Sequence, residues 1–436
     1  MRTRFIFLIA IWIIGWLNIT IAQEPILRQY AVGDWTSGAF ITACIHPNGG
    51  YLVLGSANSW QQGTRTALFR LDNEGDTLWT KAYWRHDLGD RWPIDMTTAQ
   101  DGSGFYILMG NAIPTIQYNA VLKVNLEGDS LWQTQVSNST DQWVNAPFNA
   151  IGSLEDGGCV VAGNGYFFDN PPLVTALSSG GQIQWNNAIS PSGAYSHYKR
   201  IRQGPDSHLF AVGTHSSYDP GMNHSRMMIS KFSGSGTLLW SRQFNSGTPL
   251  SGDMRLSEGH DVLPLADGGC IITGYLTDPG ITFQGQTIVR RLDQDGNEVW
   301  TKTWFAHPND LSTGFNLQPS GSGNFLVFLH QYGSSAAGAT LMKCSMDGDS
   351  IWTQWGYDYP IRMKEVQNNG QILMTGYAPS SPYGIFIRTS PDGTGSAPYN
   401  SDNKLRGLLI TSMWPIFAPA RVDRRRSLDR SRCSIV

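Results

Sequence analysis

The chain has 436 residues, with 48 glycines, 22 prolines, 16 tryptophans and only 15% charged residues. Its formal charge is −3; the first 22 residues hold +2 and residues 401–436 hold +5, which leaves residues 23–400 at −10. So acidic a body argues against nucleic acid as a partner, because phosphate recognition rests on clustered Lys and Arg, and the composition suits many short strands joined by tight turns.

The N-terminus, "MRTRFIFLIAIWIIGWLNITIAQ", has the layout of a secretory signal: Arg2 and Arg4, an apolar stretch from Phe5 to Leu17, then Thr20-Ile21-Ala22. Its 13 apolar residues fall short of the roughly 20 that a membrane span needs. The sequence therefore predicts cleavage after Ala22, a secreted or cell-surface location, and no membrane span in the mature chain. No cysteine closely follows the apolar stretch, which argues against a lipid anchor there.

From residue 40 onward the chain repeats itself. Gly-x-x-x-Trp occurs at Gly75–Trp79, Gly128–Trp132, Gly181–Trp185, Gly236–Trp240, Gly296–Trp300 and Gly348–Trp352, with Trp spacings of 53, 53, 55, 60 and 52. Before each unit comes a turn rich in Asp, Gly and Asn and then an apolar run, as in "LEDGGCVVAG" and "LADGGCIITG"; with "VQNNGQILMTG" there are seven such runs. The second repeat reads as four strands, "IDMTTAQ", "GFYILMG", "NAVLKVN" and "DSLWQTQV", the first pair and the last pair each joined by a glycine-containing hairpin turn. Its third strand alternates, with Ala120, Leu122 and Val124 opposite Val121 and Lys123; Arg290 breaks the same pattern in a later repeat.

Four strands in about fifty residues describe a β-propeller blade. The 378 residues from 23 to 400 hold seven such units, so the predicted fold is all-β, a single seven-bladed propeller of four-stranded blades. The seventh repeat has Ala397 where its Trp is due, while "ILRQYAVGDW" ahead of the first resembles a fourth strand. The N-terminal strand is expected to complete the last blade, with "KLRGLLITSMW" in the tail as the second choice of donor.

In each hairpin the glycine supplies the positive φ that the turn needs. The six tryptophans Trp79, Trp132, Trp185, Trp240, Trp300 and Trp352, one per blade at one position, are expected to fill the wedges between blades. "LFRLDNEGDTLW" and "VRRLDQDGNEVW" resemble the repeats of quinoprotein-like (PQQ-repeat) propellers, and still more the "DGG…G…GxxxW" repeats of secreted Bacteroidetes-type surface propellers. The resemblance covers most of residues 40–395 and implies fold rather than activity. It departs from quinoprotein dehydrogenases in having no adjacent cysteine pair, so no cofactor is expected. The sialidase Asp-box has one residue fewer between Gly and Trp and does not match.

The remaining connections share the opposite face and differ in every blade, among them "SANSWQQGTRT", "RHDLGDRWP", "SNSTDQWVN" and "GYDYPIR". Ligand recognition is expected on this long-loop face. Its candidate residues are Trp60, Trp84, His86, Asp90, Trp92, Asp141, Trp143, Tyr166, Tyr195, Tyr218, His307, Tyr357 and Asp358, because stacking rings beside carboxylates suit a glycan or peptide. For Trp92 and Trp143, two residues after Asp90 and Asp141, starting and packing the next strand is the alternative role. A non-catalytic, monomeric binding module for an extracellular glycan, peptide or surface protein is the reading; the alternative is a carbohydrate-active hydrolase or lyase with paired carboxylates drawn from Asp87, Asp90, Asp141, Asp253 and Asp358 on that face.

Five scattered cysteines form no disulfide framework and no zinc pattern; Cys159 and Cys270 read as small buried hydrophobes. "DQDGN" at 293–297 hints at calcium but lacks the ligand run of an EF-hand and is better explained as a hairpin turn. Residues 401–436 are basic and match no repeat; a poorly ordered tail is expected.

Overall fold

In the computed structural model the described residues are 26–32, 37–59, 63–83, 91–111, 119–136, 148–164, 171–188, 194–219, 222–244, 257–277, 285–304, 311–332, 338–357, 360–365, 370–377, 384–393 and 406–408. They form seven antiparallel four-stranded blades in ring order. Blade 1 consists of Ser37–Ile45, Tyr51–Ser59, Gly63–Leu71 and Thr77–Tyr83, and the next five follow the same plan. Blade 7 takes Pro360–Glu365, Ile372–Tyr377 and Gly384–Arg388 from the end of the ring and Ile26–Val32 from its start. The expected closure by the N-terminal strand is therefore the one observed. From the tail, Arg406–Leu408 lies parallel to Ile26–Val32 on its outer side, adding a fifth strand rather than replacing the fourth.

The middle strands do not follow the expected alternation of buried and exposed faces. Asn119–Val124 is buried at all six positions, and Leu173–Leu177 and Gly384–Arg388 at all five. A blade is covered on both faces, so its inner strands resemble those of a layered core. One face of blade 2, through Phe105, Ile107 and Leu122, packs on Leu52, Leu54 and Leu68 of blade 1. The other, through Tyr106, Leu108 and Val121, packs on Cys159, Val161 and Leu177 of blade 3. Phe386 and Leu373 of blade 7 pack on Phe40 and Val53 of blade 1, which closes the ring. Cys44, Cys159, Cys270 and Cys344 are buried in these wedges as thiols, and burial pushes the Cys344 thiol up to about 12. Arg290, the exception in the strand pattern, meets Glu298 and lies 4.9 Å over the Phe244 ring.

The repeated glycines and tryptophans are joined across blades. The seven hairpin glycines have φ between +76° and +86°, as expected. A Cβ on Gly128, Gly181 or Gly236 would also come within 2.5–2.6 Å of Trp79, Trp132 or Trp185 of the preceding blade. Each Trp ring thus lies on the bare backbone of its neighbour's turn, and Trp132, Trp240 and Trp300 donate their indole N–H to turn carbonyls at 2.9–3.0 Å. Gly181→Ala is expected to cost about 1–2 kcal/mol for the left-handed backbone and a further amount for displacing Trp132. Gly102, at φ +70° with no atom near its missing Cβ, isolates the backbone cost. Equal losses for Gly181→Ala and Gly102→Ala in urea denaturation would exclude the packing contribution.

A third repeated position had no place in the sequence reading. Five residues before each hairpin glycine stands Arg70, Lys123, Lys231, Arg291, Lys343 or Arg388, with Ala176 in blade 3. Lys231 reaches the Gly268 carbonyl of the next blade at 2.7 Å, and Lys123 reaches that of Ser179 at 3.4 Å. Arg388 reaches the Tyr51 hydroxyl and the Asn73 carbonyl of blade 1. Lys123, Lys231, Arg291 and Arg388 thus tie their blades to the next at the turn end of the ring, whereas Arg70 reaches the Gly49, Tyr51 and Leu71 carbonyls of its own blade.

Candidate functional site

The first strand of every blade carries a β-bulge at the same place. Pairing skips one residue between Phe40 and Thr42, Pro93 and Asp95, Phe148 and Ala150, Tyr198 and Arg200, Gly259 and Asp261, Gly314 and Asn316, and Pro360 and Arg362. A bulge re-aims side chains and bends the strand. Repeated seven times around the axis, it brings polar groups far apart in sequence within reach of one another.

Past the bulge, toward the turns, a buried polar ring spans blades 2 to 7. Asp95 accepts from Arg200 Nη1 at 2.6 Å and from the Met96 and Ile151 amides at 3.0 and 3.4 Å. Asp261, with no side-chain exposure, accepts from Arg202 at 2.6 Å and from the Val262 and Leu317 amides at 2.8 Å each. It also binds Arg200 Nε at 3.4 Å and Asn316 Nδ2. Asn316 in turn accepts from the Met363 amide at 3.1 Å. On the turn side of this ring lies a cavity of about 240 Å³, with Gln100, Gln203, Gln318, Arg202 and Arg362 on its walls.

At the bulge itself, through the skipped Lys199 and His260, and just before it, blades 4 and 5 assemble a second cluster on the long-loop side. Lys199 is ion-paired with Glu258, their side chains 30% and 23% exposed. The His260 ring lies 3.5 Å from Glu258 through Nε2 and 3.1 Å from the Gly314 carbonyl through Nδ1. The Thr313 hydroxyl lies 3.1 Å from the same Nδ1 and can donate to it, whereas the Glu258 carboxylate beside Nε2 can only accept. Tyr275 and Phe315 flank the ring edge-on at 5.6 and 5.5 Å. Burial alone would raise the Glu258 carboxyl, but His260 and Lys199 outweigh it and hold the group well below the usual range. Burial lowers His260 as well, against the pull of Glu258. His197 is lowered to about 4, first by burial and then by the Lys199 charge. Tyr275, hydrogen-bonded to Glu258, is raised by burial and by that carboxylate. The cluster offers an ionised acceptor, an ammonium donor and ring surfaces within one small area.

Of the expected ligand residues, Trp92 is described in full. It stands at the loop end of blade 2, paired with Gly110, and is 42% exposed, so it both starts its strand and leaves ring surface open. Tyr195, Tyr218 and Tyr357 fall at the loop ends of their strands, paired with Ser216, Asn223 and Ala339. Trp60, Trp84, His86, Asp90, Asp141, Trp143, Tyr166, His307 and Asp358 lie outside the described residues, as do Asp87 and Asp253. Asp95, Lys199, Arg200, Glu258, His260 and Asp261 were missed. All but Asp95 leave one trace, the density of charge in "SHYKRIRQ" and "SEGHDVLP", where the first strands of blades 1, 3 and 6 carry none.

In "DQDGN", Asp293 accepts from the Asp295 and Asn297 amides of its own hairpin at 3.0 and 2.8 Å, so the carboxylate serves the turn. Among the described residues no group of three or more His, Cys, Asp and Glu is placed to hold a metal ion.

No family model matches the chain, and no curated protein matches it. Among solved structures it is similar to prolyl oligopeptidase B from Galerina marginata bound to a 35mer hydrolysis and macrocyclization substrate. Identity there is 10% over 84% of this chain and 50% of that one, with a TM-score of 0.48. The same enzyme with a 25mer macrocyclization substrate gives 8%, 84%, 51% and 0.49. Sqt1 from Chaetomium thermophilum gives 11% identity over 80% of this chain and 81% of that one, with a TM-score of 0.47. The chain spans about half the length of the prolyl oligopeptidase B chains it matches.

Proposed function

We propose that the chain is an exported, non-catalytic binding module that recognises a glycan or peptide at the long-loop end of its ring. The observation that carries this reading is the Lys199–Glu258–His260–Tyr275 cluster, of which Lys199 and Glu258 keep part of their surface open. A carboxylate acceptor, an ammonium donor and ring faces are what hydroxyl-rich or amide-rich ligands bind. The N-terminal signal and the resemblance to secreted repeat propellers support export.

The described carboxylates favour binding over hydrolysis. A glycosidase needs one carboxyl held protonated and another open to the sugar. Glu258 is held ionised, while Asp95 and Asp261 are sealed and fully engaged with arginines and amides. The test is a glycan and peptide binding screen of the purified chain with hydrolysis of every hit monitored. Binding without turnover, weakened roughly tenfold in Glu258→Gln through loss of a charge-assisted contact, is the expected result. Turnover of a hit would establish the enzyme instead, and silence across a broad panel would leave a structural role.

A further inference from the structure

We propose a second site, at the opposite end of the axis: the turn-side cavity binds a small anion through Arg362. Three guanidinium groups, Arg200, Arg202 and Arg362, stand on its walls. The carboxylates available to them are Asp95 and Asp261, and both are committed. Asp95 is taken by Arg200 and two amides, and Asp261 by Arg200, Arg202, Asn316 and two amides. The cluster is left with one positive charge in excess.

That charge belongs to Arg362. Among the described residues no hydrogen bond or ion pair reaches its side chain, and its Nε is closed off from water without an acceptor. A guanidinium in such a place is costly unless an anion or other acceptors complete it. The cavity beside it has room, at about 240 Å³, for a molecule larger than one water. Its further walls, Gln100, Gln203 and Gln318, carry amides that can donate to the remaining oxygens of an oxyanion. A planar fork matches carboxylate and phosphate geometry. The ligand class is therefore a small free molecule bearing a carboxylate or phosphate group. This site shares no residue with the loop-end cluster, so either can fail without the other.

The experiment is isothermal titration and thermal melting of the full chain with inorganic phosphate in one arm and malonate in the other, at constant ionic strength against chloride. Saturable binding and a rise in melting temperature of about 3 °C are expected in at least one arm, and the responding arm identifies the group. Arg362→Gln should abolish the response, and Gln318→Leu should weaken it several-fold. Arg242→Gln, a surface arginine stacked on Trp240, should leave it intact. In chloride alone Arg362→Gln should melt no lower than the parent, because it removes a charge with no partner among the described residues. No anion response, a response unchanged in Arg362→Gln, or a lowered melting point for that variant in chloride would each overturn the proposal.

Discussion

Replacing Asp261 by alanine is expected to lower the stability of the propeller by about 3–5 kcal/mol, the usual cost of stripping one partner from a buried charge network. Asp261 belongs to blade 5, yet it holds Arg200 and Arg202 of blade 4 and the Leu317 amide and Asn316 side chain of blade 6. Its removal would leave two guanidinium groups short of a counter-charge and the Val262 and Leu317 amides without their side-chain acceptor. Asp261→Asn keeps one acceptor oxygen and should lose less. Exposed Asp347, in the turn between the third and fourth strands of blade 6, should change stability by under ~0.5 kcal/mol when replaced by asparagine. Urea denaturation of the three variants decides the matter. A loss below about 1 kcal/mol for Asp261→Ala would show that the axial ring adds little to blade-to-blade packing.

Stability should also fall as pH drops from about 6.5 to about 4, and His197 should account for part of the fall. Its folded pKa is lowered to about 4 from an ordinary 6.5. A group depressed in the folded state contributes its stability above the unfolded value and loses it as pH falls toward the folded one. In this window the unfolded chain takes up a proton at His197 that the folded chain refuses. The difference is roughly 2–3 kcal/mol after allowance for the residual exposure of the ring. His260, His46 and His215 are lowered in the same direction and add to the slope. Glu258 acts in a separate window. Its depressed carboxyl contributes fully above the unfolded value near 4.3 and loses that contribution only at lower pH. Denaturation midpoints measured at pH 7, 5.5 and 4.5 should therefore decline in the parent and decline less in His197→Gln. Parallel curves would remove His197 from the account.

Much of this architecture was legible because it repeats. A glycine four residues before a tryptophan, copied six times at nearly constant spacing, announces the blade, and the missing seventh copy points to closure by the N-terminal strand. These are local requirements of turn geometry and burial, and local requirements leave a mark at each copy. The cation five residues before the glycine was equally available to inspection. Its role was hidden because the carbonyls that Lys123 and Lys231 reach belong to the following blade, 56 and 37 residues ahead.

The axial site follows a different logic. Asp95 and Arg200 are 105 residues apart and two blades distant; both hold the first position past the bulge, where the seven blades carry Thr42, Asp95, Ala150, Arg200, Asp261, Asn316 and Arg362 and no single residue type recurs throughout. Their meeting depends on seven bulges that re-aim one residue per first strand toward a shared axis, and a bulge leaves no composition of its own. The sequence by itself determined strand order, blade number, the hairpin glycines and the tryptophan wedges, since each is set by contacts within a blade or between one blade and the next. Only the tertiary structure decided which charges meet at the axis, which guanidinium there has no partner among the described residues, and which end of the ring holds the open ion pair. Closing a ring brings together groups that share a position in the repeat but no residue type, so which charges pair follows no local pattern.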